Sequence, residues 1–95
     1  MIEWTWDPRK NAANLRKHGV GFDVAQFVFA DPLHRSRPDV HPDAERWQSI
    51  GMINGVCLFV VHTLPERAGS SEIGRIISAR KATPRERGAY EKGSF

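Results

Sequence analysis

Residues 47–63, Trp-Gln-Ser-Ile-Gly-Met-Ile-Asn-Gly-Val-Cys-Leu-Phe-Val-Val-His-Thr, decide the fold. Asn54-Gly55 stands between two apolar-rich runs, and this dipeptide readily takes the two positive-φ positions of a tight hairpin turn. Strand character begins near Arg46, and the spacing predicts paired strands over Trp47–Ile53 and Val56–Thr63. The second strand is apolar at every position from Val56 to Val61, so both of its faces need cover. That predicts a central strand with helices on one side and further structure on the other. Cys57 lies inside this run and is read as a small buried hydrophobe rather than a nucleophile or redox switch.

Outward from the hairpin, Ile73–Arg80 reads as a third strand, reached through a Gly/Ser-containing loop over 65–71. Thr83-Pro84-Arg85-Glu86 then writes a capping box with proline at the first helical position, opening a helix through about Lys92. Toward the N-terminus, residues 30–44 hold Pro32, Pro38 and Pro42 among charges and predict a long surface loop. Phe22, Val24, Ala25, Phe27, Val28 and Phe29 precede it and predict a core helix, apolar nearly all round and ended by Asp31-Pro32. Asp7-Pro8 is an N-cap followed by proline, opening a helix to about Lys17 with Gly19 as the left-handed stop. Ile2, Trp4 and Trp6 alternate with Glu3 and Thr5 in the period of a strand. The expected order is β-α-α-β-β-β-α, an α+β class with a mainly antiparallel sheet packed by helices.

A chain of 95 residues is expected to form one domain, 1–95, because two pieces would each be too short to bury a core. No apolar stretch approaches the ~20 residues that a bilayer span needs. The N-terminus shows no export signal, and a single cysteine agrees with the cytoplasm, which is the expected location. The net charge of +3 is unevenly spread: residues 8–20 carry +4, residues 80–92 carry +3, and the remainder carries −4. Two basic segments in an otherwise acidic chain suit a polyanion-binding surface, although solvated helix faces produce the same count.

Several local motifs then fall together: Trp6-Asp7-Pro8 with Lys10 and Asn14, Lys17-His18-Gly19-Val20, Phe22 and Ala25, Arg46, and Ile77-Ser78-Ala79-Arg80-Lys81-Ala82 with Glu86 and Tyr90. In this order and at these separations they resemble the BrnT toxin family over nearly the whole chain. Gly21 departs from the pattern, since a Ser or Thr cap is expected there, yet glycine is an acceptable cap. The resemblance implies a RelE-like fold and a ribonuclease toxin that halts translation, acting on the ribosome or on free RNA. It further implies a type II antitoxin with a ribbon-helix-helix DNA-binding domain (BrnA-like), contact with DNA only through that antitoxin, and a toxin dimer inside the complex.

Cleaving RNA requires a base for the 2′-hydroxyl proton, cations for the charge that builds on phosphorus, and an acid for the leaving oxygen. Arginine suits the second role, because its fork stays charged and holds two phosphate oxygens at once. Arg80, ending one strand, and Arg46, opening another, are the candidates; ion pairs with Glu86 and Glu45 are the structural alternatives. His18 is the candidate acid or base, with capping of the helix end as its alternative, and Lys17 beside it is assigned to a phosphate or a neighbouring acid. His62 is a second acid–base candidate, weighed against a satisfied core histidine. Lys81, Arg85, Glu86 and Tyr90 are the candidate RNA-binding residues; Tyr90 could stack on a base or pack over the sheet. Trp4, Trp6 and Trp47 are assigned to the core. His34 and His41 lack the companions of a closed metal site, so no metal and no cofactor are expected. Two rivals remain open from sequence: a non-catalytic nucleic-acid-binding module and a structural subunit of a complex.

Overall fold

The computed structural model describes residues 2–40 and 45–95, so His41 lies outside the described residues. Strand β1 (Ile2–Thr5) leads through the Asp7 cap into helix α1 (Pro8–His18), which Gly19 ends in the left-handed conformation. Helix α2 (Phe22–Ala25) passes directly into a 3-10 helix, Gln26–Ala30. Strands β2 (Arg35–Pro38), β3 (Trp47–Ile53), β4 (Val56–His62), β5 (Glu66–Ala68) and β6 (Ser71–Lys81) follow, then helix α3 (Pro84–Lys92). Among the described residues the sheet has six strands, with order β1-β6-β4-β3-β2 and β5 paired to β6. No described helix is long and apolar enough to cross a membrane.

The hairpin forms as its turn chemistry demands, with Asn54 at φ 46° and Gly55 at φ 81°. Strand β4 sits inside the sheet between β6 and β3, as its two apolar faces require. The α+β class holds, and three expectations are corrected. The loop expected over 30–44 contains β2, which pairs antiparallel with β3 as an edge strand and ends on Pro38, where a missing N–H is tolerated. The loop expected over 65–71 contains β5, and β6 begins at Ser71 rather than Ile73. The core helix expected over 22–29 is a single α-turn run into a 3-10 helix, and it is apolar on more sides than it buries. Phe22, Ala25 and Val28 are fully buried, whereas Val24 and Phe27 are 46% and 57% exposed. The sheet is mainly antiparallel as expected, with β1 as its one parallel pairing, to β6, among the described residues.

The core lies on one face of the sheet, where Leu58, Val60, Ile76 and Ala79 meet Val20, Phe22, Ala25 and Val28. Trp4 stacks on Phe29 with centroids 4.0 Å apart, and Trp6 meets Phe22 edge-on, which agrees with their assignment to packing. Helix α1 lies along the outer edge of β6. There the Asn14 side chain takes the place of a strand partner: its amide donates to the Ala79 and Val20 carbonyls and its oxygen accepts the Ala79 N–H. Gly51 on β3 is required by the 3-10 helix, because a Cβ there would come within 2.9 Å of Val28 Cγ1 and of its carbonyl oxygen. Helix α3 crosses the opposite face of the sheet.

Candidate functional site

Cross-strand register lines up side chains in rows on the face that α3 crosses. One row runs Arg35, Ile50, Phe59, Arg80 across β2, β3, β4 and β6, and the next runs Arg37, Gln48, Val61, Ser78. Adjacent strands stand about 4.8 Å apart, so the arginines of β2 face Arg80 across a floor about 14 Å wide. The floor is apolar where Ile50 and Phe59 are buried, and its rims are cationic. A ladder of cations and rings spans it. The Arg80 guanidinium lies 4.3 Å over the Phe59 ring, Phe59 meets Phe95 edge-on at 6.1 Å, and the Arg37 guanidinium lies 3.9 Å over Phe95. Arg37 Nε also donates to Gln48 Oε1 at 2.7 Å, which fixes its plane. The alternation of β3 carries Arg46 to the same face, one step beyond Gln48; its Nε is buried and has no hydrogen-bond partner among the described residues.

Arg80 pairs with Glu86, as the structural alternative foresaw. Its Nη1 and Nη2 donate to the two Glu86 oxygens at 2.8 and 3.0 Å, and Nη1 also donates to the Lys81 carbonyl. Glu86 accepts the Thr83 N–H as well, so the capping box that starts α3 and the clamp on Arg80 share one carboxylate. The hydrogen bond from Arg80 holds Glu86 below the usual carboxylate range, and Glu86 in turn pushes Arg80 up. Three of the guanidinium's five donors are engaged by these bonds. Nε–H and the second Nη2–H remain, and they lie on one edge of the fork. That edge can hold two phosphate oxygens without breaking the clamp.

Helix α3 has no fully buried residue and is fastened by polar contacts at both ends. At its start stands the Arg80–Glu86 pair. Near its end the Tyr90 hydroxyl donates to Asp31 Oδ2 at 2.5 Å, and that same oxygen accepts the N–H of Met52 on β3, beyond the start of β2. Burial alone would raise the Asp31 carboxyl, but hydrogen bonds from Tyr90 and from the Leu33 and Met52 amides outweigh it and lower it. The bond to Asp31 pushes Tyr90 up to about 12. Tyr90 therefore joins α3 to the sheet, with its hydroxyl committed to Asp31, while Arg85 beside the clamp is exposed.

The bases of 80–92 are divided between two surfaces, and only part of them adjoins those of 8–20. Arg80 and Lys81 are neighbours on a strand and point to opposite faces: Arg80 joins the floor under α3, and Lys81 lines a cavity of about 280 Å3 with Gly19, Val20, Gly21 and Val24. Lys17 and His18 end α1 in that same layer, so the fold does not bring them beside Arg80. His62 is buried and hydrogen-bonded. Its Nδ1–H donates to the Thr63 carbonyl, which leaves Nε2 to accept from Ser49 Oγ at 2.6 Å, and Ser49 in turn lies 2.6 Å from Ser36 Oγ. Burial lowers the His62 pKa. His34 is tied to the Asp31 carbonyl through Nδ1, and among the described residues no group of three or more His, Cys, Asp or Glu stands together to hold a metal ion.

Arg35, Arg37, Gln48, Phe59 and Phe95 did not stand out in the sequence. Arg35-Ser36-Arg37 was the available signal, a polar alternation that places two arginines on one face once it is read as a strand instead of a loop. Comparison with known proteins gives one family: the model for the BrnT ribonuclease toxin of type II toxin–antitoxin systems matches residues 6–86. No curated protein matches the chain.

Proposed function

The chain belongs to the BrnT family of ribonuclease toxins of type II toxin–antitoxin systems, and we propose that it cleaves RNA bound across the floor between β2 and β6, in a RelE-like manner that arrests translation. The observation that carries this reading is the ladder Arg80–Phe59–Phe95–Arg37, which offers phosphate-binding forks at both rims and stacking rings between them. The free edge of Arg80 meets the scissile phosphate and stabilises the charge that builds as the 2′-oxygen attacks phosphorus and the bond to the 5′-oxygen breaks, with water taking the 2′-hydroxyl proton and returning one to the departing 5′-oxygen. Glu86 holds that fork in place with both oxygens while Oε1 also accepts the Thr83 N–H of the capping box. It thus serves as a positioning residue. Arg46, Arg35 and Arg37 hold flanking phosphates from the opposite rim, with Arg85 beside the clamp, and the Phe95 ring is the surface on which a base stacks. Guanidinium groups supply the charge stabilisation in this scheme, so cleavage proceeds without a divalent metal.

The partner that type II membership implies is a cognate antitoxin, and we assign it the ribbon-helix-helix class, which also carries the contact with DNA. Lys17, His18 and Lys81 lie away from the floor and take no chemical step in this scheme. Purified protein incubated with total RNA in excess chelator should cleave it. Loss of cleavage on chelation, restored by one metal, would contradict the metal-free scheme. Intact RNA under every condition, with binding retained, would return the protein to the non-catalytic binding module.

A further inference from the structure

Helix α1 carries a second cationic surface that the floor does not use. Arg9, Lys10, Arg16 and Lys17 are all exposed, with the small residues Ala12 and Ala13 exposed between the two pairs. The second pair repeats the first seven residues on, two turns of helix or about 10 Å. The inward side of α1 is taken up by Asn11 and Asn14, whose amides bond the Phe22 N–H and the Ala79 backbone, so the bases are held facing outward. No acid occurs between residues 8 and 20, and neither ion pair found among the described residues involves α1. Lys81 extends this charge past the end of the helix.

Resting on the RNA reading above, we infer that the outer face of α1 binds the sugar–phosphate backbone of a base-paired RNA, separately from the single strand on the sheet. A protein partner gains most of its affinity from apolar or aromatic anchors in desolvated pockets, and the stripe offers only alanines, with Leu15 at its margin. A nucleic-acid backbone needs cations at intervals and short side chains between them so that it can come close, which is what the stripe provides. The stripe looks out from the edge of β6, while the floor lies on the face under α3. A substrate that touches both is therefore a folded RNA whose single-stranded segment reaches the floor while a neighbouring duplex rests on α1.

The test measures binding of the whole protein to a short RNA hairpin and to a short unpaired oligonucleotide over a range of salt concentrations. Replacing Arg9→Gln, Lys10→Gln and Arg16→Gln together should weaken hairpin binding on the order of 10²-fold at physiological salt and reduce its salt slope by about 2–3, while leaving the unpaired oligonucleotide unaffected. Arg9→Gln with Lys10→Gln alone, in the first turn where cations oppose the helix dipole, keeps the helix intact and should give an intermediate loss. Unchanged hairpin affinity overturns the inference, as does an equal loss for both RNAs. Unchanged hairpin affinity with weakened binding of the cognate antitoxin also overturns it and assigns the stripe to the protein partner. Because the readout is binding, a chain that binds in this pattern yet cleaves nothing refutes only the ribonuclease reading.

Discussion

Tyr90→Phe removes one hydroxyl and tests whether α3 is held by its ends. The helix buries no residue completely, so little apolar area secures it, and the polar contacts at either end carry a large share of its attachment. The Tyr90 hydroxyl donates to a carboxylate, a class of bond that contributes about 1.5–3 kcal/mol when desolvated. Tyr90 is only half-buried, and Asp31 keeps the Leu33 and Met52 amides when the hydroxyl is lost. Solvent screening brings the expected loss to about 1 kcal/mol. In a domain of this size that lowers the Tm by roughly 4–8 °C. The folded-state pKa of Tyr90 is raised to about 12 from an ordinary 10. The stability it contributes is complete below pH 10 and disappears as pH rises toward 12, since the unfolded chain ionises first. Thermal melts of wild type and Tyr90→Phe at neutral pH and between pH 10 and 12 check both claims. The wild-type advantage should be present at neutral pH and shrink through the alkaline range. Identical melts at neutral pH, or an advantage that persists above pH 12, would refute the end-fastened helix.

Phe95→Ala should weaken binding of an unpaired RNA by about 1–3 kcal/mol, read by fluorescence anisotropy, because it removes the ring between Arg37 and Phe59. Stability should fall as pH drops below the ordinary histidine value of 6.5, because burial lowers the folded-state pKa of His62 and the unfolded chain takes up the proton first; denaturation of His62→Gln over the same range should be flatter. Gly51→Ala should cost about 1–3 kcal/mol in chemical denaturation, since the new methyl would stand 2.9 Å from the Val28 carbonyl oxygen and side chain and the 3-10 helix would have to shift.

Much of the fold was legible wherever a local rule acts over a few residues. Asn54-Gly55 placed the hairpin, Thr83 with Glu86 started α3, and Asp7 and Gly19 bounded α1, because each depends on backbone angles or caps that nearby side chains determine. What sequence did not reveal depends on distant partners. Strand β2 carries Arg35-Ser36-Arg37 with prolines on either side, and such a polar segment becomes a strand only because β3 offers it an edge. The parallel pairing of Ile2–Thr5 with Glu72–Arg75 joins the two ends of the chain and has no local signature. The site divides in the same way. Arg80 and Arg46 were legible as cations at strand ends, whereas Arg37 and Phe59 line up only through cross-strand register and Phe95 reaches them only from beyond the end of α3. Strand alternation sends Lys81 away from Arg80 and toward the end of α1, so the bases of 80–92 are divided between two surfaces.

The most direct test of cleavage on the floor under α3 is the single-turnover rate on an RNA oligonucleotide, in chelator, for wild type and Arg80→Lys, with thermal melts of both. Lysine keeps the charge but loses the fork that clamps Glu86 on one edge and offers two donors on another. The rate should fall on the order of 10²–10³, as when one preorganised donor to a developing oxyanion is lost. The Tm should move by only a few degrees, because the ion pair is partly exposed and contributes about 1 kcal/mol or less. An Arg80→Lys protein that cleaves at the wild-type rate, or that loses activity only in proportion to lost folding, would contradict the assignment of Arg80 to the scissile phosphate.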